Sequence, residues 1–277
     1  MPSLATRFGR NRVSFSSDAP LSDDQIRRVA PSIFATEPHF SRSARYAQIP
    51  TANVLTALRK EGFEPFSVCQ SRSRFEDRRA FTKHMLRLRH ASQIVKEEAH
   101  EILLINSSDG SSSYQMMSGI LRFVCANGLI CGDELADIRI PHIGNVTERV
   151  IEGAFQVLDD APRIASQVDE MKAIALKPDE QQVFARTAIE LRFDVSDTQP
   201  APITEDQVLR IRRRDDMDAS LWTTLNRTQE SLVRGGLQAR NAQGRRTTTR
   251  AVEGIDSNTK LNRSLWTLAE RMKQLKA

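Results

Sequence analysis

The longest strongly apolar run in the chain, Ile102-Leu103-Leu104-Ile105, breaks off almost at once into Ser108-Asp109-Gly110-Ser111. A run this short, bounded by turn residues, reads as a buried strand. The glycine supplies the positive φ that a tight reversal needs and that a Cβ would resist. Together they predict a strand over Glu101–Asn106, a hairpin turn, and a returning partner over Ser112–Met116. That pairing commits the first half of the chain to antiparallel sheet.

The surrounding sequence supplies further elements. Phe63–Gln70 is rich in aromatic and β-branched residues and predicts a strand. Over Lys83–Arg89 the alternation puts His84, Leu86 and Leu88 on one face and Lys83, Met85, Arg87 and Arg89 on the other. Ser22 with Gln25 three positions on has the form of a capping box, opening a helix that Pro31 stops. Pro50-Thr51 opens a second, with Val54, Leu55 and Leu58 on one side and Gly62 at its end. A helix is expected over Ser118–Ala126, closed by Asn127-Gly128, and a strand over Ile138–Pro141. Beyond that the period becomes helical. Thr147 is placed to cap a helix with a stripe of Val150, Ile151, Ala154, Val157 and Leu158. Helices follow near Pro178, Thr204 and Asp218, the last ending at Gly235-Gly236. A polar segment over 237–250 leads to a final helix carrying Leu261, Leu265, Leu268, Met272 and Leu275. The class is therefore α+β, with an antiparallel sheet and flanking helices in the N-terminal half and a mainly helical C-terminal half. Two domains, 1–145 and 146–277, are expected, and one continuous domain is the alternative.

Hydrophobic residues make up 39% and charged residues 27%, an ordinary globular balance able to bury a core without disulfides. Cys69, Cys125 and Cys131 are odd in number and loosely spaced, which fits buried thiols in a reducing cytosol. The opening residues Met1–Phe8 lack the apolar stretch of a signal peptide, and no run is long enough for a bilayer, so a cytoplasmic protein without a membrane partner is expected. The net charge of +5 is unevenly laid out: +7 over residues 1–100, −8 over 101–204 and +6 over 205–277. Basic ends around an acidic middle either present polyanion-attracting faces or dock on that middle.

Standard catalytic signatures are missing. His84 and His90 are six apart, and neither they nor Cys69 and His100 have the short spacing of zinc ligands. No Gly-x-Ser-x-Gly elbow occurs, and Ser111-Ser112-Ser113 is explained by turn chemistry. Neither phosphate-binding glycine motif is present. Glu148 and Glu152, and Asp159 with Asp160, read as solvated helix faces. No catalytic residue, metal site or cofactor is expected, and the reading leans away from an enzyme.

Two basic segments remain. Arg72, Arg74, Arg78, Arg79, Lys83, Arg87 and Arg89 are interleaved with Phe75 and Phe81. Guanidinium groups neutralise phosphates and stack on bases, and exposed rings add stacking. On a strand pair, alternate arginines would form a positively charged track. The second segment, 240–250, carries Arg240, Arg245, Arg246 and Arg250 with Gly244 and Thr247-Thr248-Thr249, all typical phosphate contacts. Nucleic acid is the partner these segments suggest.

Several strings are distinctive: Arg42-Ser43-x-Arg45-Tyr46 with Ile49-Pro50-Thr51, Thr82 to Arg89, Ser112-Ser113-Tyr114-Gln115-Met116, and Asn127-Gly128-Leu129 with Cys131-Gly132. Later come Leu221-Trp222-Thr223-Thr224, Gly235-Gly236-Leu237, Thr249-Arg250-Ala251-Val252 with Gly254-Ile255-Asp256, and Lys260-Leu261-Asn262-Arg263 with Leu265-Trp266. In these the chain resembles the phage/plasmid-like domain-of-unknown-function family of the Escherichia coli cryptic-prophage proteins YfjQ and YafZ, over nearly its whole length. The resemblance implies a bacterial mobile-element setting, prophage or plasmid, beside antirestriction and toxin–antitoxin genes, and no assigned reaction. The expectation is a nucleic-acid-binding protein favouring single strands or exposed ends. Alternatives are a protein-protein or antirestriction/regulatory module using the acidic middle and Trp222 and Trp266, and a metal-dependent nuclease with acids scattered in sequence.

Overall fold

The computed structural model describes residues 12–41, 50–73, 75–90, 92, 98–123, 127–132, 137–141, 145–196, 199–241 and 244–276. Its class is α+β, with a curled antiparallel sheet in the N-terminal half and helices in the C-terminal half. The chain divides into two compact units, Met1–Gly119 with Leu135–Asp160 and Glu253–Ile255, and Ile120–Glu134 with Ala161–Val252 and Asp256–Ala277.

The first unit runs through β1 (Arg12–Ser16), α1 (Asp23–Val29), α2 (Thr51–Lys60), β2 (Phe63–Ser71), the single turn α3 (Glu76–Arg79), β3 (His84–His90), β4 (Glu98–Asn106) and most of β5 (Tyr114–Arg122). The short β6 (Asn127–Ile130) belongs to the second unit. Strand β7 (Ile138–Ile140) and α4 (Val146–Asp159) return to the first. Strands β1 to β5 lie side by side in sequence order, and β7 pairs antiparallel with β5. From β2 to β5 each link is a short connection, the cheapest way to bring strands together, whereas the β1–β2 link carries α1 and α2. The predicted hairpin is present, with Gly110 at φ 76° in the β4–β5 turn.

Local sequence explains the flanking helices. Ser22 accepts from the Gln25 amide, and the Gln25 side chain accepts from the Ser22 amide at 2.9 Å, completing the capping box of α1. Asn145, not Thr147, caps α4, its side chain accepting from the Glu148 amide. Ile26 of α1, Val54, Leu55 and Leu58 of α2, and Val146, Val150, Ala154 and Val157 of α4 pack with Val68, Leu86, Leu88, Ile102, Leu104, Tyr114 and Met116 of the sheet. Each such side chain contributes about 1.5–3 kcal/mol by leaving water. The helix expected over Ser118–Ala126 is overturned: β5 continues to Arg122, and 124–126 lie outside the described residues. Cross-strand pairing outweighed local propensity there, and Gly119 disfavours a helix in any case.

A polar node lies inside this apolar layer. His84 is fully buried between Ser32, 2.8 Å from Nδ1, and Thr51, 2.9 Å from Nε2. Ser32 donates to Gln70 Oε1 at 2.9 Å, and Asn106 donates to Thr51 Oγ1 at 3.0 Å, with the Tyr114 hydroxyl 3.3 Å from that oxygen. A neutral ring fits, Nδ1–H donating to Ser32 and Nε2 accepting from Thr51. Gln70 also donates to the Arg79 carbonyl at 2.6 Å and to Thr82 at 3.0 Å, and so holds the β2–β3 connection from beneath.

The second unit contains α5 (Ala161–Ala173), which the sequence reading passed over, α6 (Pro178–Arg192), α7 (Glu205–Val208), α8 (Leu221–Arg234), a ribbon of β8 (Gln238–Arg240) and β9 (Arg246–Thr248), and α9 (Ile255–Lys276). Ile164, Val168 and Met171 pack with Phe184, Trp222, Leu225, Leu265 and Trp266. Helix α8 is buried on every side from Leu221 to Leu232, although two thirds of that stretch is polar or charged. Ser220 caps it, and Gln229 donates to Asn262 of α9 at 2.8 Å. Cys69 and Cys131 are buried and form no disulfide, and Cys125 lies outside the described residues. Among the described residues no helix is long and apolar enough to cross a membrane.

Burial lowers the pKa of His84 from 6.5 to about 4, against smaller opposing effects of the Thr82 backbone and Asp109. The unfolded chain therefore binds a proton that the native state refuses between those two values. Stability should be full above about pH 6.5 and fall as pH drops to about 4, with His84 contributing roughly 3 kcal/mol of the loss. Urea titrations across that range should show a shallower slope for His84→Gln, and equal slopes would contradict the neutral node. A second test concerns the end of α8. Gly235 has φ 66° and ψ −153°, and a Cβ there would lie 2.6 Å from the Arg250 carbonyl carbon. Gly236, at φ 77°, has open space around it. Gly235→Ala should cost at least about 2 kcal/mol and Gly236→Ala about 1, read from denaturation midpoints by tryptophan fluorescence.

Candidate nucleic-acid interface

The two basic segments have different fates. On β3, Arg87 and Arg89 are buried, and both neutralise Glu101 of β4: Arg87 Nη1 donates to Oε2 at 2.7 Å and Arg89 Nε to Oε1 at 2.9 Å. The Arg89 guanidinium also lies over the Phe66 ring, 4.2 Å from its centroid. A buried carboxylate between two guanidiniums is satisfied only by keeping both. These two arginines therefore do not form an exposed track, because both faces of β3 are covered. Lys83 is half-buried, and Arg74 lies outside the described residues. Arg72, Arg78 and Arg79 are exposed at the tip between β2 and β3, together with Phe75.

The second segment forms a ribbon. Arg240 pairs with Arg246, Ala239 with Thr247 and Gln238 with Thr248. Directly paired residues share a face, so the Arg240 and Arg246 side chains stand side by side, a like-charge arrangement that destabilises a sheet pair. The turn is closed by Gly244 donating to the Asn241 carbonyl at 2.8 Å and by Arg245 donating to Asn241 Oδ1 at 2.9 Å. The ribbon is anchored through buried Ala239, through Arg240 N to the Pro202 carbonyl at 3.1 Å, and through Gln207 to the Gln238 carbonyl at 2.8 Å. Arg240, Arg245, Arg246 and Arg250 are all exposed. Among the described residues none of the four has a carboxylate partner. Glu205 and Asp206 on the neighbouring α7 are engaged by Arg186 and Gln182.

More positive charge gathers at the same end of α8. Arg213 grips Glu230 with two bonds of 2.6 Å, and Arg234 reaches the same carboxylate at 2.6 Å. Buried Asp216 is shared by Arg122 and Arg213. Two carboxylates thus serve three guanidiniums, and Arg210, Arg212 and Arg214 stand exposed beside them. Arg212 is exposed along its length, but its head group donates to Ser231 at 2.7 Å. Desolvation there is the main cause of its lowered pKa, Glu230 opposes it, and Arg213, Arg234 and Arg210 lower it further by repulsion. The sequence reading overlooked this group. The signal was Arg210-Ile211-Arg212-Arg213-Arg214, masked by the aspartates that follow, of which Asp216 is turned inward.

Other candidates resolve simply. His90 binds Ser92 and the Glu61 carbonyl, Glu148 and Glu152 are solvent-exposed, and Trp222 and Trp266 belong to the core. Among the described residues no three His, Cys, Asp or Glu side chains converge to hold a metal ion.

Residues 38–266 match the family model described as "Domain of unknown function (DUF932)". Two Escherichia coli (strain K12) proteins, UPF0380 protein YfjQ and UPF0380 protein YafZ, are each 48% identical to the chain over 272 residues, covering 98% of it and 98% of their own length. No solved structure matches. On this agreement from end to end, the chain belongs to the uncharacterised DUF932/UPF0380 family.

Proposed function

We propose that this protein binds nucleic acid through phosphate contacts made by the arginine ribbon and the guanidinium cluster of its second unit. The observation that carries this is the side-by-side placement of Arg240 and Arg246, with Arg245 and Arg250 also without carboxylate partners. Opposed like charges on a short ribbon cost stability, and no carboxylate among the described residues offsets it, although Arg240 Nη1 donates to the Gly244 carbonyl at 3.0 Å. A string of phosphates relieves that cost and releases the counterions condensed on the nucleic acid. Backbone amides and threonine hydroxyls next to the arginines, as at Thr247 and Thr248, suit the same oxygens. The prophage or plasmid setting implied by the resemblance agrees with work on DNA, though setting alone carries no mechanism. Neither alternative has comparable support: the two tryptophans suited to a protein partner are core residues, and no cluster of acids suits a nuclease metal among the described residues.

The test is fluorescence anisotropy with labelled DNA strands and duplexes at several salt concentrations. The wild type should bind with an affinity that falls steeply as salt rises. Replacing Arg240, Arg245, Arg246 and Arg250 by Ala should weaken binding at least about tenfold at low salt. It should also flatten the log–log salt dependence by about 3, since each lost phosphate contact removes about 0.7–0.9. Unchanged binding by the variant, or no binding by the wild type at low salt, would refute the proposal.

A further inference from the structure

We infer that the tip between β2 and β3 is a stacking site for unpaired bases, which would make single strands the preferred form of the nucleic acid; this rests on the binding reading above. Phe75 is 62% exposed and Phe40 83% exposed, two flat apolar rings presented to water. Phe75 is set among cations. The Arg78 guanidinium lies 5.6 Å from the Phe75 ring centroid, and Arg72 and Arg79 are exposed on the same tip. Phe40 is supported from behind. Its ring centroid is 4.2 Å from that of buried His39, which meets Phe81 edge-on at 5.3 Å. Backbone bonds hold this support in place: His39 N donates to the Ser108 carbonyl at 3.1 Å, and the Ser108 amide donates to the Phe81 carbonyl at 3.1 Å. The Gln70 bonds to Arg79 and Thr82 fix the base of the tip.

An exposed ring among guanidinium groups on a fixed tip, with a second exposed ring on the segment tied to Phe81 through Ser108, matches the chemistry of unpaired nucleotides, whose faces stack on aromatics while their phosphates meet arginine. A duplex keeps those faces stacked inside and offers the rings nothing. A protein partner would call for a continuous apolar patch, and here guanidinium groups stand beside Phe75.

The experiment uses the full chain with a labelled DNA strand, the RNA strand of the same sequence, and the DNA duplex. Phe40→Ala/Phe75→Ala should lose roughly 10- to 100-fold in strand affinity and keep its duplex affinity. Phe40→Leu/Phe75→Leu, which preserves apolar bulk without a π face, should lose nearly as much. Phe75→Trp should retain strand affinity, and the strand should quench its added fluorescence. Equal losses on DNA and RNA strands mean that ring faces alone are read, and a larger loss on one identifies the form bound; either supports the inference. Strand binding by the Ala variant equal to the wild type, or full strand affinity in the Leu variant, overturns the stacking site alone. Wild-type protein that binds none of the three overturns the parent reading.

Discussion

The first unit is organised around a neutral imidazole that cannot reach water. His84 joins the turn carrying Ser32, the first residue of α2, and strands β2 and β4, so four segments meet at one ring. An apolar side chain of the same size would leave the Thr51 hydroxyl without its acceptor and the Ser32 oxygen without the ring donor, in a dry environment. A buried polar group without a partner costs far more than a satisfied one contributes. The node therefore acts by exclusion: one register of β3 against β2 and β4 satisfies it, and a slip by one residue would bury Lys83 in its place. Thr51, Thr82, His84 and Tyr114, all in strings that carry the family resemblance, meet at this ring and its neighbours.

Each unit buries some arginines and leaves others at the surface. In the first, Arg87 and Arg89 are drawn inside onto Glu101, while the tip keeps Arg72, Arg78 and Arg79 outside beside Phe75. In the second, Arg122, Arg227 and Arg263 are buried too, but the ribbon arginines are left out. Glu230 and Asp216 are buried and fully occupied, while the ribbon and the 210–214 segment keep their charge at the surface. An ion pair inside the fold is a structural device, and its charge is invisible from a distance. The exposed, crowded charge is what a polyanion would meet first, and its field steers encounter before any contact forms.

Much of the fold was legible. The apolar run ending in Ser108-Asp109-Gly110-Ser111, the capping box at Ser22 and the helical stripe of α4 are local signals, and local signals survive folding. The failures came where distant partners decide. Helix propensity around Ser118 gave way to the neighbouring strands, and Arg87 looked available because Glu101 is fourteen residues away in sequence. The exposed ribbon was read as a loop, since three-residue strands carry no usable period. The arginines at 210–214 were hidden by the aspartates that follow, of which Asp216 points inward, a distinction that composition does not contain.

Helix α8 has a consequence for how the protein is made. Its sequence has the polarity of a surface helix, yet it has no surface, and part of its enclosure, including Asn262 and Trp266, arrives with α9. While the chain is still emerging from the ribosome, α8 must wait, solvated and unpacked, until α9 has cleared the exit tunnel. The first unit is complete much earlier apart from the short Glu253–Ile255 segment. Synthesis thus delivers a finished sheet followed by a helical half that stays open until α9 arrives.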